Sequence, residues 1–183
     1  MFEITALIDA YLAENSARLV PAKKLLLSPG EYCNHTFYVL KGLLRYYSVD
    51  TKGNEHVLQF APEGWFIVDR ESMFFKKTSN FFIESLEDSE VLLLNEEFLK
   101  GFCQNHTEFV EFNNILLHNH IRHLQNRVNE LLSLSAEERY LNFMKLYPNI
   151  VSRVPQSMIA SYLGLAPESL SRVRKNLSKK RLK

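Results

Sequence analysis

The residues best suited to chemistry lie near the C-terminal end of the chain. Residues 153 to 183 carry eight Lys or Arg (Arg153, Arg172, Arg174, Lys175, Lys179, Lys180, Arg181 and Lys183) against a single acid, Glu168, a local balance of +7. Residues 1 to 152 carry the other 14 basic groups and 20 acidic ones, a balance of −6, so the net charge of +1 hides a strong asymmetry. An acidic body with a basic tip is the distribution expected when one end meets a polyanion.

The segment that must position these charges is "QSMIASYLGLAPESLSRVRK". Pro155 and Pro167 each suit the first turn of a helix, where a missing N–H costs nothing, and Gly164 can take the left-handed conformation that stops the first helix. With Gln156 as position 1, Ala160 is at 5, Gly164 at 9, and apolar residues stand at 4, 8, 10, 15 and 18. This is helix-turn-helix spacing: a small residue where the helices cross, a sharp turn, and a shared apolar core. The second helix would enter the major groove of double-stranded DNA by its N-terminal end, which makes Glu168, Ser169 and Arg172 the candidates for reading bases. Arg172 would pair with guanine and Glu168 would accept from a cytosine amino group. Gln156, Ser157, Arg174 and Lys175 are placed to hold phosphates, fixing register without reading sequence.

Upstream, Glu108 to about Ser133 contains no Gly or Pro. Val110, Asn114, Leu117, Ile121, Leu124, Val128 and Leu131 recur there at alternating steps of 4 and 3, a heptad seam with one polar member. Phe109, Phe112 and Leu116 form a second stripe able to pack on the chain's own core. A helix with two apolar stripes exceeds what a surface helix needs, so a parallel homodimer with the seam as its interface is expected. Ser135-Ala136-Glu137-Glu138 is a capping box that starts the next helix.

Between Leu25 and Asn95 the texture is different. Short β-branched and aromatic runs ("LLL", "TFYVL", "LLRYYSV", "HVLQF", "WFIV", "FFIESL", "VLLL") alternate with turn signals, and Gly30, Gly42, Gly53 and Gly64 recur every 11 to 12 residues. Even spacing of this kind predicts antiparallel strands in a sandwich or barrel. Helical spacing (Phe2, Leu7, Ile8, Tyr11, Leu12) predicts a helix within the first 20 residues. The expected class is α+β, with a sensor domain over 1–107, a dimerisation helix over 108–134 and a helix-turn-helix domain over 135–183.

Other chemistries find little here. Cys33 and Cys103 form no CxxC, so no disulfide framework, zinc site or iron–sulfur site is expected. His118, His120 and His123 share the seam helix and read as solvated histidines. No HxH occurs among the predicted strands, and no nucleophile–base pair is visible, so a cupin-like metal enzyme is disfavoured and no cofactor is expected. No apolar run is long enough to cross a bilayer, and the acidic N-terminus is unlike a signal peptide, so a cytoplasmic protein is expected.

"LSPGE", "FYVLKGLLRYY", "DTKGNEHVLQF", "GWFI" and "IASYLGLAPESLSRVRK", in that order, resemble the Crp/Fnr family of bacterial transcription regulators. The resemblance implies a cyclic-nucleotide-binding-type β-roll, a dimerisation helix and a winged helix-turn-helix on palindromic DNA, with RNA polymerase as a further partner. It also places an effector pocket at Asp69, Arg70, Ser79 and Asn80. Where cyclic-AMP-binding members carry Gly-Glu and then Arg-Ser, this chain has Val68-Asp69 and Ser79-Asn80. A cyclic phosphate would find no fixed arginine, so no tight cyclic-AMP binding is expected and the effector is unknown. Two departures concern DNA. Pro167 stands where several members have an arginine, and no wing sequence follows "LSKKRLK", so either the basic tail replaces the wing or the sequence is truncated. The alternative reading is a ligand-sensing or protein-interaction module with a vestigial DNA-binding domain.

Overall fold

The computed structural model describes residues 4–181; Phe2 and Lys183, and the side chain of Arg181, lie outside the described residues. Contacts divide the chain into two compact units, one of residues 1–48 and 58–119, the other of residues 49–57 and 120–183.

The first unit begins with α1 (Ile4–Glu14), within the first 20 residues as the helical spacing predicts, and Arg18–Val20 beyond it forms strand β1. Seven more strands follow: β2 (Leu25–Leu27), β3 (His35–Lys41), β4 (Leu44–Val49), β5 (Glu55–Ala61), β6 (Phe66–Ile67), β7 (Phe82–Ser85) and β8 (Ser89–Asn95). They form two four-stranded sheets, ordered β1-β8-β3-β6 and β2-β7-β4-β5. In β3, Phe37 lies opposite Leu93 of β8 and Ile67 of β6. Phe37, Val39, Leu44, Ile67, Ile83 and Val91 meet in the core cluster of this unit. The even glycine spacing has a steric cause at the β3–β4 turn. Gly42 has φ +99, and a Cβ there would sit 2.7 Å from the Cα of Ser89, so no side chain fits.

Two helices with little sequence signature complete this unit. The six-residue α2 (Arg70–Phe75) is capped by Asp69, and α3 (Glu96–Asn105) by Asn95, each through a side-chain oxygen that accepts a helix N–H. The 27-residue α4 (Thr107–Ser133) runs on through both units. Its Phe109 and Phe112 join Leu7, Tyr11, Leu92 and Phe102 in a second core cluster, as the off-seam stripe predicts.

In the second unit, α5 (Ala136–Leu146) opens with the expected capping box. The Ser135 hydroxyl accepts the Glu138 N–H, and the Glu138 carboxylate accepts from the Ser135 N–H at 2.9 Å. A 3₁₀ turn (Ile150–Ser152) leads to α6 (Gln156–Leu163) and α7 (Pro167–Arg181). Ile159, Ala160 and Leu170 are fully buried where these helices pack, and the Phe143, Tyr147 and Tyr162 rings close the cluster with centroids 5.2 to 5.7 Å apart.

Candidate nucleic-acid interface

The turn between α6 and α7 takes the left-handed path that its glycine permits. Gly164 has φ +63, and its N–H bonds back into the last turn of α6. A Cβ at this position would come within 3.1 Å of Leu131 Cδ2, so α4 packs against the turn itself. Arg139 donates to the Leu163 carbonyl at 2.6 Å and Arg127 to the Tyr162 carbonyl at 2.8 Å. Two guanidinium groups thus satisfy carbonyls that the end of a helix leaves without internal partners.

The geometry of the two helices sorts the charged residues. Glu168 and Arg172 are exposed, Ser169 is half-buried, and the Arg172 guanidinium reaches the Ser169 hydroxyl at 3.3 Å. Glu168 lies in the first turn of α7, where a carboxylate is favoured by the helix dipole. Gln156 and Ser157 are exposed at the start of α6, and Lys175 is exposed on α7. Arg174 is half-buried and lines the groove between α5 and α7 with Tyr140, Leu141, Met144 and Leu177. Lys180 is engaged by Glu137 at 2.6 Å. The face formed by Glu168, Arg172 and Lys175 is therefore a small set of polar groups presented outward on a packed hairpin.

The seam of α4 lies open in the single chain. Val110, Ile121, Leu124, Val128 and Leu131 are each 43 to 56% exposed, Asn114 is exposed, and Leu117 is half-buried. Of the three histidines on this helix, His123 is depressed from its usual value, first by burial and then by the Arg127 charge. Among the described residues no group of His, Cys, Asp or Glu is arranged to hold a metal.

The four residues expected around an effector are differently employed. Ser79 is buried; its hydroxyl accepts the Phe81 N–H at 2.9 Å and donates to the Phe81 carbonyl, and its backbone bonds to Gly30 and Glu31. Asp69 is buried, with Oδ1 accepting the Ser72 N–H at 3.3 Å and Oδ2 left without a hydrogen bond. Burial, together with the nearby Asp69 carboxylate, pushes the Tyr46 phenol up, and burial pushes the Cys33 thiol up. Arg70 is half-buried and its guanidinium is depressed by desolvation, while Asn80 is exposed. No hydrogen bond joins any two of these four residues among those described. Arg45 of β4 is bound to Glu84 at 2.6 Å, with its guanidinium 3.9 Å over the Tyr47 ring.

The β-roll is followed in the chain by a long helix and then by a helical hairpin with helix-turn-helix spacing. Residues 17–106 match the family model of the cyclic nucleotide-binding domain. Solved structures extend the likeness over nearly the whole chain. The c-di-GMP-responsive global regulator CLP of Xanthomonas campestris is 18% identical with a TM-score of 0.75, over 97% of this chain and 93% of that one. FixK2 of Bradyrhizobium japonicum is 17% identical with a TM-score of 0.77, over 91% and 86%. A transcriptional regulator of the CRP/FNR family from Thermus thermophilus is 20% identical with a TM-score of 0.63, over 90% and 86%. No curated protein matches the chain. The fold is Crp/Fnr-like: α+β, with a β-roll of the cyclic nucleotide-binding-domain type and a C-terminal helical unit.

Proposed function

We propose that this chain is a homodimeric, DNA-binding transcription regulator acting in the cytoplasm, with RNA polymerase as its partner at the promoter. In this reading residues 1–107 sense, 108–134 dimerise and 135–183 bind DNA. The observation that carries it is the outward face of α7. Glu168 and Arg172 stand exposed at the groove-entering end of a hairpin whose turn, small crossing residue and core all obey helix-turn-helix packing. The open apolar seam of α4 supports a second copy: five large apolar side chains on one helical stripe are costly to leave in water, and a parallel partner helix would cover them.

The β-roll in this reading responds to a small effector that differs from cyclic AMP. Ser79 stands where the phosphate-binding side chains would, and its polar groups are spent on Gly30, Glu31 and Phe81.

The test is selection of bound fragments from random duplex DNA, followed by affinity measurement on the winner over a series of salt concentrations. A palindromic site is expected, with log K falling against log salt at a slope of about −0.9 per phosphate neutralised. Failure to enrich any sequence, with no salt dependence, overturns the reading.

A further inference from the structure

A cleft of about 180 Å³ opens in the second unit where α4, α5 and the end of α6 meet. His123, Asn126, Arg127 and Glu130 of α4 line it, together with Arg139 and Asn142 of α5. None of the four on α4 is a seam position, and no residue of α7 lines it, so the cleft belongs neither to the seam nor to the outward face of the hairpin. Six polar side chains converge on a crevice that helix packing alone would fill with apolar ones.

Their charges do not cancel. Arg127 and Arg139 stand against one carboxylate, Glu130, whose Oε1 accepts from the Asn142 side-chain amide at 2.9 Å. His123 is half-buried and depressed from its usual value, first by burial and then by the Arg127 charge, which outweighs the opposing pull of Glu130. The imidazole is therefore neutral near pH 7, and the cleft keeps an excess of positive charge.

The two guanidiniums also cover the group that would repel an anion, the negative end of α6. Arg127 Nη2 donates to the Tyr162 carbonyl at 2.8 Å and Arg139 Nη1 to the Leu163 carbonyl at 2.6 Å. Arg139 is not used up by this bond: its Nε is buried and has no hydrogen-bond partner. A buried donor in that state is a standing cost that an oxygen acceptor would remove, and a guanidinium fork is the group that fits the paired oxygens of a carboxylate or phosphate.

We propose that this cleft binds a small oxyanion, a carboxylate or a phosphate, with Arg139 as its main ligand and Arg127 as the second charge. Asn126, Asn142 and His123 serve its remaining oxygens. A cleft of about 180 Å³ lies below the volume of pockets for drug-sized ligands, so the anion has few heavy atoms.

The site stands apart from the DNA-binding reading, and its test uses no DNA. The full chain is titrated at constant pH and ionic strength with inorganic phosphate and, separately, with malonate, each against sodium chloride, while the histidine ring protons are followed by NMR. His123 should shift saturably with at least one oxyanion, while His118 and His120, which do not line the cleft, stay in place. Saturation by phosphate alone makes it a phosphate site, and by malonate alone a carboxylate site. Arg139→Lys keeps the charge and loses the fork, and should weaken binding about tenfold. Asn126→Asp adds a carboxylate at an exposed position of the lining and should weaken it by about as much, without touching the cap on α6. No saturation with either probe, an equal response to chloride, or a common shift of all three histidines overturns the site. Parental affinity in Asn126→Asp overturns it as well. A parent protein that binds no DNA leaves it standing.

Discussion

The outward face of α7 and the segment from Asp69 to Asn80, which contains α2, were both expected to meet a ligand, and they spend their polar groups in opposite ways. On α7, Arg172 reaches a neighbouring serine hydroxyl, and Glu168 and Lys175 are exposed. In the β-roll, Ser79 has donor, acceptor and backbone all committed to Gly30, Glu31 and Phe81, and Asp69 caps α2. A polar side chain free of its own protein can serve a partner without first breaking anything. One already committed is holding the fold, and a ligand that claims it must repay the lost bond.

The hardest way to break this contrast is to remove the support beneath the open face. Leu170→Ala, at a fully buried position between α6 and α7, should cost about 2–5 kcal/mol. Denaturant unfolding should show the loss, with DNA binding abolished as the hairpin loosens. Next in size is the face itself. Arg172→Ala should leave unfolding unchanged and cost about 1–3 kcal/mol in affinity for the selected duplex, with specificity relaxed at one base position in a competition assay. The smallest effect belongs to the committed group. Ser79→Ala removes the acceptor of the Phe81 N–H and should destabilise the β-roll by about 1 kcal/mol in a thermal or urea melt, leaving DNA affinity at the parental level. If Ser79→Ala altered DNA affinity more than stability, the contrast between the two regions would fail.

Legibility followed the length over which a pattern repeats. The helix-turn-helix was readable because Ala160, Gly164 and Leu170 each answer to a steric demand at a set spacing, and the strands because alternation and turn residues recur. The heptad seam was equally plain over 27 residues of α4. Strand β1 was missed because three residues contain no period. The six residues of α2 are too few for a helical stripe, although Asp69, a favoured N-cap type with an acid, Glu71, in the turn that follows, was a cap signal in plain view. The same holds for Asn95 and the two acids that open α3. Arg139 carried no signal at all. An arginine in a predicted helix looks like any solvated cation, and its partner, the Leu163 carbonyl, lies 24 residues away.

Sequence by itself determined the parts: a β-rich region, a seamed helix, and a basic hairpin whose turn only glycine could make. Those follow from local physics, from side-chain period, backbone freedom and charge, and they need no knowledge of what lies next door. Tertiary structure alone decided which polar groups remain free. Whether Ser79 is spent, Asp69 Oδ2 left over, Arg174 turned toward α5 or Arg139 drawn to the Leu163 carbonyl depends on which backbone atoms distant segments bring within about 3 Å, the reach of a hydrogen bond. That reach is a property of the folded chain, and no spacing along the sequence encodes it.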